Sequence, residues 1–259
     1  MRALIINLAR STDRMAFMAN QMDGLGLSWE RIEAVTPETL LPPASDRVWH
    51  RWQRPLRVTE MALCASHMAA WRRVLTLGEP CLVLEDDAVL AAATPAFLER
   101  AASLSGVDHI SLETRSRRKL VSRRLHPRAP VRRLWQDRTG SAAYVVFPRG
   151  ARLLLDHAEL AAAPSDALIS STYAMRSYQA DPALCVQLDQ CAAYGLPQPI
   201  PTASTIDAVT KPGFAPETST MTRVAFRARR VGAQLRMGLR QALRMPVAER
   251  REVRPTKDW

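Results

Sequence analysis

The sequence predicts an α/β protein: a parallel sheet flanked by helices, followed by a basic helical tail. Three observations carry this. Residues 3–35 read strand, helix, strand, the opening of a parallel α/β sheet. The apolar run Cys81-Leu82-Val83-Leu84 leads straight into Glu85-Asp86-Asp87, as a buried strand does when it emerges at a ligand-binding edge. Residues 222–245 repeat apolar positions at helical spacing among arginines. At 259 residues and 47% hydrophobic, the chain is long enough for one sizeable core with a small appendage.

In chain order, residues 3–8 read as a strand buried on both faces. Ser11 can cap a helix that puts Met15, Met18, Met22 and Leu25 on one face, with Gly24 and Gly26 ending it. Residues 29–35 read as a second strand and the proline-rich 36–58 as a loop. Thr59-Glu60 opens a helix in which Leu63, His67, Ala70, Val74 and Leu77 recur at helical spacing. Residues 81–84 form the third strand. Thr94-Pro95 starts a helix to about residue 104, and 109–112 is a fourth strand. Residues 115–133 hold nine Lys and Arg and no acid, which reads as a mobile basic loop or short exposed strands. A strand over 142–147, a helix over 148–157, a short helix opened by Asp166 and a late strand over 185–188 follow. Residues 194–219 read as irregular chain. The expected division is a catalytic unit over 1–206 and a linker with basic tail over 207–259.

Bulk properties narrow the function classes. Cys64, Cys81, Cys185 and Cys191 form no C-x-x-C pair, which speaks against a zinc ribbon or redox motif and suits reduced thiols in a cytoplasmic protein. The N-terminal apolar run is interrupted by 9–14, and no stretch of about 18 apolar residues occurs, so neither a secretory signal nor a membrane span is expected. The net charge of +11 calls for an anionic partner. Nucleic acid is one reading, but the basic runs lack aromatic interleaving, zinc spacing or a recognition helix. No nucleic acid is expected.

The acidic triplet needs a cation. Buried unpaired charge is costly, so the three carboxylates belong where the strand emerges. There they repel one another unless a hard, oxygen-liganded ion such as Mn²⁺ or Mg²⁺ neutralises them. Asp87, with Glu85 or Asp86, is the expected metal contact.

An ordered set of motifs then points further. It runs Ile6-Asn7-Leu8-x-Arg10-Ser11-x-Asp13-Arg14, then Thr59-Glu60-Met61-Ala62-Leu63-Cys64-Ala65-Ser66-His67, then Leu84-Glu85-Asp86-Asp87. Thr139-Gly140-x-x-Ala143-Tyr144, Pro164-Ser165-Asp166 and Tyr178 with Pro182 and Gln187 complete it. Across roughly residues 3–206 this resembles the glycosyltransferase family 25 enzymes of bacterial lipooligosaccharide synthesis. The family's Gly-Glu-Ile-Gly-Cys-x-x-Ser-His segment departs here at two glycines, replaced by Thr59 and Ala62.

The resemblance implies a GT-A-like, Rossmann-type fold. It implies an inverting transfer of a sugar, usually from UDP-galactose, to a hydroxyl of a growing lipid-linked glycan. It places Asp86 and Asp87 at the metal, with Glu85, Asn7, Arg10, Arg14, Ser66 and His67 around the donor. Arg10 and Arg14 suit a diphosphate, although Arg14 equally suits a solvent-facing helix position. Asp166 matches the family's Pro-x-Asp and is the candidate general base; a helix N-cap is its other reading. A catalytically inactive sugar-nucleotide binder is an alternative that the intact acids oppose. The 115–133 arginines could grip a phosphorylated acceptor. The 222–245 helix, with Arg227, Arg230 and Arg236 among its charges, reads as an in-plane helix on an anionic membrane surface. Each basic residue there contributes about 1 kcal/mol. The protein is expected on the inner face of the cytoplasmic membrane.

Overall fold

A computed structural model describes residues 1–138, 140–201 and 220–259. β1 (Arg2–Asn7) is buried from Ala3 onward because strands cover both its edges. α1 (Thr12–Gly24) follows, and β2 (Trp29–Glu33) pairs parallel to β1. α2 (Val58–Leu77) runs from a capping box, in which the Glu60 carboxylate accepts from the Arg57 backbone N–H at 2.9 Å, to Gly78. Gly78 has φ +68°, a left-handed conformation that stops the helix without the penalty a side chain brings. β3 (Cys81–Glu85) then lies parallel to β1 on its other side.

A short β4 (Ala88–Leu90) and α3 (Thr94–Ala102) lead to β5 (His109–Ser111). β6 (Arg118–His126) and β7 (Ala129–Gln136) form a hairpin, and β8 (Ala143–Val146) returns between β3 and β5. α4 (Pro148–Leu160) and α5 (Ser165–Ser171) follow, then β9 (Ser177–Ala180) and β10 (Cys185–Gln187). α6 (Thr220–Arg244) and β11 (Ala248–Glu252) close the chain.

The main sheet has the order β11-β6-β7-β9-β5-β8-β3-β1-β2, while β4 and β10 pair separately. Alternate side chains divide the core between its two faces. Leu4, Ile6 and Val83 pack with residues of α2, α4 and α5. Ala3, Ile5, Leu82 and Leu84 pack with Met18 and Met22 of α1 and Phe97 and Leu98 of α3. The result is a mixed α/β fold, a large sheet flanked by helices.

Several expectations change. The sheet is parallel only at β1–β2, β1–β3 and β5–β9; the other pairings are antiparallel. β8 is preceded by the hairpin rather than a crossover helix, so nothing turns it parallel. Of the two readings of 115–133, strands are found and not a mobile loop: the segment forms most of that hairpin, exposed at Arg118 and over 123–125 but buried over 119–121. Lys119 is 2% exposed, bonded at 2.7 Å to Asp137, and Arg132 is bound to Asp181. The 36–58 loop contains a 3-10 turn, Arg47–His50, whose Trp49 is buried and donates to the Pro42 carbonyl. Residues 248–259 are not a free tail. β11 pairs with β6, and the Arg254 carbonyl and Thr256 N–H bond Ala183. Thr139, most of the expected 194–219 irregular segment and the 206/207 boundary lie outside the described residues.

Candidate active site

The parallel register builds the first part of the site. Ile6 lies opposite Glu85, so the next residues along, Asn7 and Asp86, emerge side by side. Asn7 Nδ2 donates to Asp86 Oδ2 at 2.8 Å, and Arg14 from the first turn of α1 binds Asp86 Oδ1 at 2.9 Å. Arg31 donates to Asn7 Oδ1 and holds the amide in place. Both oxygens of Asp86 are therefore engaged, as an anchor between β3 and α1.

Glu85 is held from behind. The Trp71 indole N–H donates to the Tyr144 hydroxyl at 2.8 Å, which leaves that hydroxyl's proton for His67 Nδ1, also at 2.8 Å. His67 Nε2 then faces Glu85 Oε1 at 3.3 Å as a donor, and Ser141 Oγ donates to the same oxygen at 2.6 Å. Burial alone would raise Glu85, but His67, by hydrogen bond and charge, the Ser141 hydrogen bond and the charge of Arg115 together hold the carboxylate below its usual range. His67 is fully buried. It orients Glu85 and does not itself line the cleft into which the triplet opens. Ser66 is also a brace, its Oγ accepting from Val35 N–H and donating to the Ala62 carbonyl, both at 2.8 Å, and it lines the cleft into which the triplet opens.

Asp87 is different. Among its described partners only Gln187 Nε2 bonds its side chain, at 3.2 and 3.4 Å. Burial first, then the charges of Glu85 and Asp86, push its carboxyl up to about 7. A divalent cation would relieve this. Magnesium-type ions take one or two carboxylates and complete their shell with phosphate and water, so Asp87 beside a diphosphate fits one. Among the described residues no three His, Cys, Asp or Glu side chains gather as a complete protein-only metal cage.

These groups open into a cleft of about 760 Å³ along the carboxyl ends of β1, β3 and β5, within the usual range for small-molecule sites. Asp166, in the first turn of α5, lines the same cleft. Pro164 holds the N-cap position, so Asp166 is not the cap; its Oδ1 accepts from Ala167 N–H at 2.7 Å. Burial, then Glu85, Asp137 and Glu60, raise its carboxyl. Arg10 is exposed at the rim.

Sequence reasoning missed Glu113 and the Arg54–Glu60 pair, which line the cleft; Arg115, the first of the 115–133 arginines, lines it too. Glu113 had a signal: like the triplet, it follows an apolar strand end, Ile110-Ser111-Leu112. Charges in the lining are Arg10, Arg14, Arg54, Arg57 and Arg115 against Glu60, Glu85, Asp86, Asp87, Glu113, Asp166 and Asp189, five against seven. In a chain of net charge +11, the cleft itself is acid-rich.

Arg227, Arg230 and Arg236 lie on α6, which docks on β7 and neighbouring loops. Arg240 bonds the Trp135 carbonyl and stacks on Tyr173, Arg244 stacks on Trp135, and Phe226 is buried. None of the three predicted arginines lines the cleft. No helix among the described residues is long and apolar enough to cross a membrane.

An acid-rich cleft at the carboxyl edge of an α/β sheet, walled by arginines, defines a small-molecule-binding protein. Residues 1–169 match the model of glycosyltransferase family 25 (LPS biosynthesis protein), and the chain belongs to that family. No curated protein matches. Among solved structures, mannose-1-phosphate geranyltransferase from Thermus thermophilus shares 14% identity over 71% of this chain and 58% of that chain, with a TM-score of 0.30. The chain thus spans less than two thirds of that protein, and the likeness is too loose to bear on fold or function.

Proposed function

We propose that this protein is a GT-A-like, inverting glycosyltransferase. It moves a hexose, galactose from UDP-galactose being the favoured case, to a hydroxyl of a lipid-linked lipopolysaccharide-type glycan. The family supports a glycosyltransferase of LPS biosynthesis. One observation carries the finer reading: Asp166 lines the same cleft as the Arg14–Asp86–Asn7 anchor and the underneutralised Asp87.

The roles divide by chemistry. Arg14, with Arg10 at the rim, suits the donor diphosphate. Mn²⁺ or Mg²⁺ held at Asp87 would supply charge neutralisation for the departing diphosphate. Asp166 is the base that takes the acceptor hydroxyl's proton; its raised affinity for protons and its place outside the triplet suit that task. The Trp71–Tyr144–His67 chain fixes Glu85, so the triplet meets the ligand already ordered.

Membrane attachment rests on α6. At 100° per residue, the docked row of Phe226, Ala233, Met237 and Gln241 lies opposite Val224, Val231, Leu235 and Leu239, which are 53–69% exposed. Arg227 and Arg236 flank that apolar row; Arg230 lies beside the docked side. An anionic bilayer satisfies both the row and its flanking charges, and holds the cleft near a lipid-linked acceptor.

Transfer assays with UDP-, GDP- and CMP-sugars, with Mn²⁺ and with EDTA, test the reading. UDP-sugar turnover that EDTA abolishes supports it. Full turnover in EDTA removes the metal, and no turnover with any donor removes the transferase.

A further inference from the structure

The site as described leaves one buried group unused. Glu113 sits at the end of β5 and lines the cleft floor, yet it is 1% exposed. Its Oε2 accepts from the Ala142 backbone N–H at 3.0 Å. Among the described residues its Oε1 has no hydrogen-bond partner. Native structures seldom leave a buried carboxyl oxygen unsatisfied.

The backbone opposite is shaped around this carboxyl. Gly140 has φ +115°, a conformation side chains rarely adopt, and a Cβ there would meet Glu113 Oε2 at 3.2 Å. The charged and titratable groups facing Glu113 are Lys119 of β6, Glu85 of β3, Arg115, Cys185 of β10 and, beyond Gly140, Asp137. Lys119 does not neutralise it directly: its ammonium bonds the Glu113 carbonyl, Gln179 and Asp137.

We propose that Glu113 is a further substrate-binding residue, whose unpartnered carboxyl oxygen hydrogen-bonds a hydroxyl of the sugar carried by the donor. This rests on the transferase reading above. A sugar offers hydroxyls that both donate and accept, and a cleft-lining carboxyl whose buried oxygen is unpartnered among the described residues is chemically matched to such a group. Burial, augmented by Glu85, pushes this carboxyl up to about 8. Below that pH it keeps its proton and donates to the sugar oxygen. Above it, the site gains another negative charge in an acid-rich cleft and loses the donor.

Two variants separate binding from structure. Glu113→Gln keeps a neutral donor of the same shape; Glu113→Leu removes every polar atom. Affinities of UDP-galactose and of UDP alone, with thermal midpoints, are measured for each from pH 6.5 to 9.5. Wild type should bind the sugar nucleotide more tightly than UDP, and this advantage should fade above about pH 8. Glu113→Gln should keep the advantage with its alkaline decline removed. Glu113→Leu should lose roughly 10-fold of it while binding UDP as before. If Glu113→Leu keeps the wild-type advantage and pH dependence, this proposal fails while the transferase reading stands. If both variants lose UDP and UDP-galactose binding equally, along with thermal midpoint, the residue is structural and the proposal fails. Wild type that binds no sugar nucleotide overturns both.

Discussion

The two ends of the main sheet handle charge in opposite ways. At the β1–β3 end, acids crowd at strand termini, and Asp87 and Asp166 are left with raised proton affinity. At the β6–β7–β11 end, several arginines are spent on the protein itself. Arg132 holds Asp181 and two backbone carbonyls; Arg133, Arg240 and Arg244 stack on Trp135, Tyr178 or Tyr173. Charge that is paired and stacked stabilises a fold, whereas charge left short of partners in a cleft awaits a ligand. The basic half therefore accounts for much of the +11, while Arg115, the first arginine of the 115–133 run, lines the cleft.

Substitutions can break this contrast. The largest effect is expected at Asp166→Asn, which should lower kcat by about 10²–10⁴-fold with donor affinity and thermal midpoint unchanged. Unchanged turnover would take the base role from Asp166. Next comes Arg132→Ala in the basic half, which should cost about 3 kcal/mol of stability in a denaturant titration, because among the described residues Asp181 keeps only Arg251, at 3.4 Å, as a cationic partner. Its kcat/KM, measured on the folded fraction, should match wild type. A stable protein with damaged turnover would erase the distinction between the halves.

The pH profile sharpens it further. The base works only when ionised, and the folded carboxyl of Asp166 is raised. Transfer should therefore fall as pH drops through that raised value, giving an acid limb above the ordinary aspartate range. An acid limb in the usual range would exclude Asp166. The smallest effect belongs to α6. Leu235→Asp with Leu239→Asp should release the protein from phosphatidylglycerol vesicles in sedimentation, while turnover on a soluble acceptor is unchanged. Retention on vesicles equal to wild type would remove the membrane role.

Much of the first half was legible because periodicity and burial agree there. Residues 3–8, 81–84 and the helix from Thr59 matched β1, β3 and α2 within a residue or two. The hairpin was not legible. Its arginine-rich strands lack alternation, and their burial depends on Asp181 and Asp137, acids outside the segment. β11 was missed for the same reason. In the site, the place of the triplet was readable from its strand, but the ranking of the three acids was not. That ranking depends on Arg14, 72 residues from Asp86, and on the pairing of His67 with Tyr144, 77 residues apart. Only the folded register brings these together.

The central claim is that the acid-rich cleft, and not the basic half, receives a sugar nucleotide. Calorimetric titration of UDP-galactose in Mn²⁺ tests it directly. The account predicts one saturable site in wild type, weakened at least about tenfold by Arg14→Ala and by Asp87→Asn, and unchanged by Arg240→Ala. Equal affinity in all four proteins, or loss on Arg240→Ala alone, would contradict it.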